Sequence, residues 1–250
     1  MSDLITVQGV VISAAPVGEY DKRIVLLTRE RGKISAFAKG ARRPNSSFLA
    51  ATTPFTFGEF ALYEGRTSYN LNQVNVTHHF VELATVQPGI YYGYYFLELA
   101  DYFGREGTDE REMMNLLYVT VKALLNPKIE DALVRCVFEL RTMSEQGMCP
   151  QLYECVSSEE PFEEGAEVFF SQEMHGILCR ECAGRVRDAK RISASVLYAM
   201  RYIVSAPLGK LYTFTVNPYV LEELEHLVHT YVLMNTDRKF KSLDILRVMC

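Results

Sequence analysis

Between residues 4 and 80 the chain alternates short β-branched and aromatic runs with turn signals, and beyond residue 82 its apolar residues recur at the three-to-four spacing of helices. No other feature limits the fold as much as this change of period. Five runs read as strands, at 4–14, 20–28, 33–39, 55–63 and 69–77. Val17-Gly18-Glu19, Arg29-Glu30-Arg31-Gly32 and a loop over 39–47 separate the first four. In the fourth run the apolar parity passes from Phe55 and Phe57 to Phe60 and Leu62. One extra residue near Gly58 is therefore expected, a bulge where the sheet turns a corner.

Helical spacing begins after Pro88-Gly89, opens again at Thr108 with acidic residues in its first turn, and stops at Asn126-Pro127. Further helices are expected over 130–145, 193–204, 218–234 and 241–248. Tyr91, Tyr92, Tyr94 and Tyr95 fall at helical spacing in an apolar stretch and read as packing residues. The fold class that follows is α+β and multidomain. A five-stranded barrel of OB-fold type is expected over 1–80, and a helical domain over 81–250 carries a small cysteine-rich insert at 148–190.

The formal charge is −5, but it is unevenly spread: residues 1–80 hold nine Lys/Arg against six Asp/Glu, and the remaining 170 hold seventeen against twenty-five. Within 22–43, eight cations face only Glu30. A local field of that sign attracts polyanions even where the whole molecule is acidic. Side chains alternate along a strand, so Lys33, Ser35, Phe37 and Lys39 share one face of the third run and Ile34, Ala36 and Ala38 the other. On an outer barrel face Phe37 between lysines would suit base stacking beside phosphate contacts; the alternative is a core residue. In the loop "FAKGARRPNSSF", Gly40 permits close backbone approach, Pro44 stiffens the exit and Asn45, Ser46 and Ser47 supply neutral donors. The loop can thus present Arg42 and Arg43 to phosphates without reading base edges. The expected binding set is Lys22, Arg23, Lys33, Phe37, Lys39, Arg42 and Arg43, with sequence-tolerant, salt-dependent affinity. A phosphate-tracking barrel accepts DNA or RNA, so an RNA-binding module stands as an alternative, as does a non-enzymatic scaffold.

The stretch "GVVISAAPVGEYDKRIVLLTRERGKISAFAKGARRPNSSF", with the later "FKSLDILR", closely resembles the RecO family of bacterial recombination mediators. The likeness extends over nearly the whole chain, and "GKISAFAKGARRP" is its most distinctive part. It implies an N-terminal OB-fold and a helical domain with a zinc-finger-like insert. It also implies binding of single- and double-stranded DNA, annealing of complementary strands, contact with the acidic C-terminal tail of single-stranded-DNA-binding protein, and action with RecR in loading RecA. To hold an acidic tail, a groove needs a cation beside an apolar pocket, and Arg135, Arg201, Lys239 and Lys241 are the candidates.

Four of the six cysteines, Cys149, Cys155, Cys179 and Cys182, lie within 34 residues. Cys179-Arg-Glu-Cys182 has the spacing of a zinc knuckle, and Cys155 can supply a third thiolate to one structural zinc ion. The family pattern implied by the resemblance places a second C-x-x-C from Cys155, where this chain has Cys155-Val-Ser-Ser158. A closed site needs four ligands, and Cys149 and His175 stand as substitutes for the missing sulfur. Glu159, Glu160, Glu163, Glu164 and Glu167 read as a solvated loop, since zinc prefers sulfur to carboxylate where both are offered.

Catalysis has no anchor in the chain, which lacks a Walker or dinucleotide glycine loop and any nucleophile with a convergent base. His78-His79 fall on opposite faces of a strand, and His226 and His229 lie on a helix beside Glu222, Glu223 and Glu225; all read as solvated or capping. The chain is therefore expected not to be an enzyme. The N-terminus MSDLITVQG lacks the basic and apolar regions of an export signal, and the apolar runs fall far short of the roughly 20 residues that cross a bilayer. A cytoplasmic, nucleoid-associated location with no membrane partner is expected.

Overall fold

The expected strands form as β1 (Leu4–Val17), β2 (Asp21–Thr28) and β3 (Gly32–Ala38), then a short helix α1 (Phe48–Ala51), then β4 (Thr56–Glu64) and β5 (Tyr69–His79). The structure, a computed structural model, describes residues 3–163 and 165–249, so Glu164 of the acidic stretch lies outside the described residues. The strands close into a barrel in the order β1-β2-β3-β5-β4. β3 and β5 run parallel, with Ala36 beside Tyr69, and the other neighbours are antiparallel. This is the five-stranded Greek-key barrel of an OB-fold. Val11, Ile24, Leu26, Ile34, Phe60 and Leu62 fill its interior. The alternation in β3 holds: Ile34, Ala36 and Ala38 are buried, whereas Lys33, Ser35 and Phe37 are half-buried on the other face.

A bulge does sit at Gly58, but the extra residue belongs to the partner strand. Phe57 pairs with His78 and Gly58 with Val76, leaving Thr77 of β5 unpaired. A Cβ on Gly58 would lie 2.5 Å from the Asn75 carbonyl oxygen, so this close strand crossing requires glycine. The apparent parity switch in β4 has a different cause. Phe60 and Leu62 face the barrel interior, while Phe57 points outward and packs edge-on against Phe80 and Tyr118, 5.7 and 5.4 Å away. The outer face there is covered by helix, so both parities are apolar.

The covering helices are α2 (Gly89–Phe103) and α3 (Arg111–Leu124), which begin close to the expected positions. Tyr92, Tyr95 and Phe96 are buried in α2, in keeping with a packing role, although Tyr94 stays 45% exposed. The change of period at residue 80 falls within the first compact unit. Chain packing groups residues 1–125 with 240–250, and residues 126–239 separately. α2 and α3 join the barrel's unit because they pack on β1 and β2.

In the second unit α4 (Asp131–Glu145) is followed by the insert, with β6 (Val168–Ser171), β7 (Gly176–Leu178), the short helix α5 (Arg180–Ala183) and β8 (Lys190–Ile192). Helices α6 (Ala194–Ser205) and α7 (Pro218–Met234) complete it. Ser193 and Asn217 cap α6 and α7 by accepting the N–H groups of Val196 and Val220, at 3.2 and 3.0 Å. Arg141 of α4 donates to the Val204 and Ala206 carbonyls at the end of α6, at 2.9 and 3.2 Å. The last helix, α8 (Lys241–Met249), returns to the first unit, where Glu98 of α2 accepts the N–H groups of Lys241 and Ser242, both at 3.0 Å. A carboxylate there complements the positive end of the helix dipole.

Candidate nucleic-acid interface and metal centre

Two loops at one end of the barrel are tied together through the backbone. Gly40, with φ +67°, donates its N–H to Asp21 Oδ1 at 2.7 Å. The Arg42 N–H donates to the Tyr20 carbonyl at 2.8 Å, and Arg42 Nη1 reaches the carbonyls of Gly18 and Glu19 at 3.3 and 3.2 Å. The Arg43 guanidinium lies over the Tyr20 ring, 5.3 Å from its centroid. Each of these Arg42 and Arg43 partners is neutral, so the side chains are oriented while their charge is kept. Lys22 donates to the Leu49 carbonyl and the Thr52 hydroxyl, both at 3.1 Å, and so fixes α1 beneath the loop. Burial first, and then repulsion from Arg42, hold the Lys22 ammonium below its ordinary pKa.

Around this end the outer face of β2 and β3 continues the positive track. Arg23 Nε donates to Ser35 Oγ at 2.7 Å and stands directly across from Phe37 in the strand pairing. Phe37 therefore belongs to the outer face, not the core. Lys39 is exposed at the end of β3. Lys33 stands apart from them. It shares the face of Phe37 and Lys39, but roughly 20 Å of strand separates it from Lys39. There its ammonium meets Asp101 of α2, 3.4 Å from Oδ1 and hydrogen-bonded to the backbone carbonyl of the same residue. Gly104 packs over Leu27 and the Lys33 stem, so that half of the face is covered. The structure thus gathers Lys22, Arg23, Phe37, Lys39, Arg42 and Arg43 toward one end and assigns Lys33 to helix packing. Tyr20 and Asp21 escaped the sequence reading because their part is played through loop–loop hydrogen bonds that leave no spacing signature.

The four tail candidates do not form one site. Arg135 is bound to the fully buried Glu139, Nε to Oε1 at 3.0 Å, and contacts His229 of α7. His229 in turn lies 3.4 Å from Glu139 and is half-buried against this pair. Arg201 donates to the Leu152 carbonyl at 2.6 Å, lies over the Tyr153 ring and lines a hollow of about 750 Å³ with Phe162, Leu197 and Tyr198. Lys239 and Lys241 are exposed. His226 faces a smaller hollow of about 350 Å³. His79 meets the Thr53 hydroxyl at 2.9 Å, and the His78 ring packs on Tyr118.

In the insert the sulfurs of Cys155, Cys179 and Cys182 lie within 4.8 Å of one another. The expected substitutes for a fourth ligand are corrected by the structure. Cys149 Sγ donates to its neighbour's carbonyl, and His175 packs against the Tyr231 ring; neither joins the cluster. The group beside Cys155 is Ser158. Burial alone would raise the Cys155 thiol, but hydrogen bonds from the Ser158 hydroxyl and from the N–H groups of Cys179, Ser158 and Ser157 outweigh it and hold the pKa down to about 6. Cys182 is pushed up to about 11, chiefly through its hydrogen bond with Cys179. Sulfur acceptance of the N–H groups two and three residues on is how a metal knuckle orients its first ligand. Three thiols so arranged fit three corners of a tetrahedral zinc site. None of the described glutamates joins them. Glu167 is not a free solvated group either, since it pairs with Arg180 and Arg191.

Comparison with known proteins agrees with this architecture. Residues 1–80 match the family model for the recombination protein O N terminal, and residues 89–244 that for its C terminal. A DNA repair protein RecO of Alkaliphilus metalliredigens is 32% identical over 243 residues, covering 97% of this chain and 98% of the relative. Proteins of the same name from Symbiobacterium thermophilum and Acetivibrio thermocellus are 30% and 28% identical, each spanning at least 95% of both chains. With a closed five-stranded barrel, a helical unit with a three-cysteine insert, and matches to both halves, the chain belongs to the RecO family.

Proposed function

We propose that this chain is a non-enzymatic recombination mediator that binds single- and double-stranded DNA at the loop-tied end of its barrel and anneals complementary strands. The observation that carries this reading is the seating of Arg42 on the Gly18 and Glu19 carbonyls, with Arg43 on Tyr20 beside it. Neutral partners fix the guanidinium groups and leave their field available to phosphates. Complementary strands repel through their phosphates, so a cationic surface that holds one and admits another lowers that barrier and raises the local concentration. No covalent step is needed. The relatives' name, DNA repair protein, favours DNA over RNA as the ligand.

In the cell, the protein acts with RecR in the cytoplasm, at the nucleoid, to help load RecA on DNA coated with single-stranded-DNA-binding protein, as the family likeness implies. Of the four tail candidates, Arg201 alone lines a hollow of the second unit with apolar Phe162 and Leu197, and the acidic tail of the coating protein is assigned there, although Glu163 and the Arg191-paired Glu167 also line it. Cys155, Cys179 and Cys182 would hold one structural zinc ion. When bound, the ion would cross-link the two cysteine-bearing loops of the insert. Replacing Ser158 by Cys should tighten metal binding in a chelator competition and convert the cobalt-substituted spectrum to that of four sulfurs. Protein purified without added zinc that folds fully and stays metal-free would reject the site.

The test of function is annealing of complementary oligonucleotides, naked and coated. Faster annealing in both conditions is expected; no acceleration of naked strands contradicts the proposal. Equal-length DNA and RNA competitors separate the RNA-binding alternative.

A further inference from the structure

Tyr20 sits in the turn between β1 and β2 with 43% of its surface exposed. An aromatic ring so placed adds little to the barrel core. On one side it carries the Arg43 guanidinium, and beside the pair opens a hollow of about 450 Å³ lined by Tyr20, Arg43, Pro44 and Asn45. Each lining group suits a flat, polar-edged guest. The phenol, guanidinium and pyrrolidine offer planar or ring surfaces, and the Asn45 carboxamide both donates and accepts hydrogen bonds. The depression is shallow and open, and the Arg42-to-Tyr20 and Gly40-to-Asp21 bonds hold the two loops that flank it in register. Lys22, Lys39 and Arg42 on the same end supply cations for the phosphates on either side of a guest. Of the two anions there, Asp21 is engaged, accepting from Gly40.

Resting on the DNA-binding reading above, we infer that the Tyr20–Arg43 hollow is a stacking subsite for an unpaired nucleobase and gives this surface its preference for single strands. Phosphate contacts are available to single and double strands alike. A base within a duplex has both faces stacked already and cannot enter the hollow. Only an unpaired base gains from the ring, and the gain adds to the electrostatic attraction without altering the number of phosphates neutralised.

Fluorescence anisotropy with equal-length single- and double-stranded oligonucleotides across a salt series tests this, using wild type, Tyr20→Ala, Tyr20→Leu and Tyr20→Phe. Loss of one base–aromatic stack is expected to weaken single-strand binding by about 5- to 150-fold in the Ala and Leu variants. Duplex binding loses only the Arg43 seat and should weaken by clearly less than single-strand binding, with the salt slope unchanged, and Tyr20→Phe, which keeps the ring, should retain the single-strand affinity. Equal weakening for single and double strands would mean that the ring merely steadies Arg43, and would overturn the inference. So would salt-dependent wild-type binding that Tyr20→Ala leaves intact. A wild-type protein that binds neither ligand overturns the DNA-binding reading and this inference together.

Discussion

Arg42 and Arg135 are both arginines in stretches that sequence alone marks as places for an anionic partner, yet their surroundings differ in kind. Arg42 rests on two backbone carbonyls at the exposed end of a barrel. Arg135 is bound to a carboxylate with no exposed surface and touches a histidine of the neighbouring helix. A neutral acceptor fixes a guanidinium's direction and leaves its charge; a buried carboxylate consumes the charge to offset its own loss of hydration. The lesson is that the chemistry of the partner, more than the density of cations, separates a binding surface from a structural pair. Lys33 and Lys39 repeat the contrast along a single strand, one facing Asp101 and the other solvent.

The widest gap should appear in stability. Arg135→Ala removes the guanidinium paired with the buried Glu139 carboxylate and should cost about 3–5 kcal/mol in urea denaturation, whereas Arg42→Ala at the surface should cost no more than about 0.5 kcal/mol. Similar losses for the two would erase the distinction. Asp188 sharpens the comparison from the anionic side. Burial would raise its pKa, but the Ser171 hydroxyl and the N–H groups of Glu173 and Gln172 outweigh that and hold it below the usual carboxylate range. A depressed folded value means stabilisation that is complete above the unfolded pKa of about 3.9 and is lost as pH falls through the folded value. Asp188→Asn should therefore cost about 1–2 kcal/mol at neutral pH and flatten the acid limb of a stability–pH curve. The smallest effect is expected of Lys33→Ala. Its ammonium is already paired with Asp101, so the salt dependence of DNA binding should not change.

The barrel was legible because its strands alternate cleanly, as with Ile34, Ala36 and Ala38 inward and Lys33, Ser35 and Phe37 outward. Reading failed where a distant element covers a face. Phe57 looked like a change of parity because Phe80 and Tyr118 bury its outer side. Lys33 looked exposed because Asp101 lies 68 residues away, and Arg135 looked available because His229 lies 94 residues away. That α2 and α3 pack with the barrel is hidden for the same reason, since a change of period does not say where helices pack. The cysteine cluster was visible in spacing alone. Ser158 was visible only as a departure; that the Cys179 N–H reaches the Cys155 sulfur, at 3.4 Å, is a matter of loop geometry.

The central claim is that cations held by neutral partners at one end of the barrel make the DNA-binding surface. The most direct test is the salt dependence of single-strand affinity for wild type against Lys39→Ala/Arg42→Ala/Arg43→Ala, with Lys33→Ala as the paired-cation control. The triple variant should flatten the log–log slope by about 2, at roughly 0.7 per phosphate contact, while the control keeps the wild-type slope. A triple variant with an undiminished slope, or a control that flattens it as much, would contradict the account.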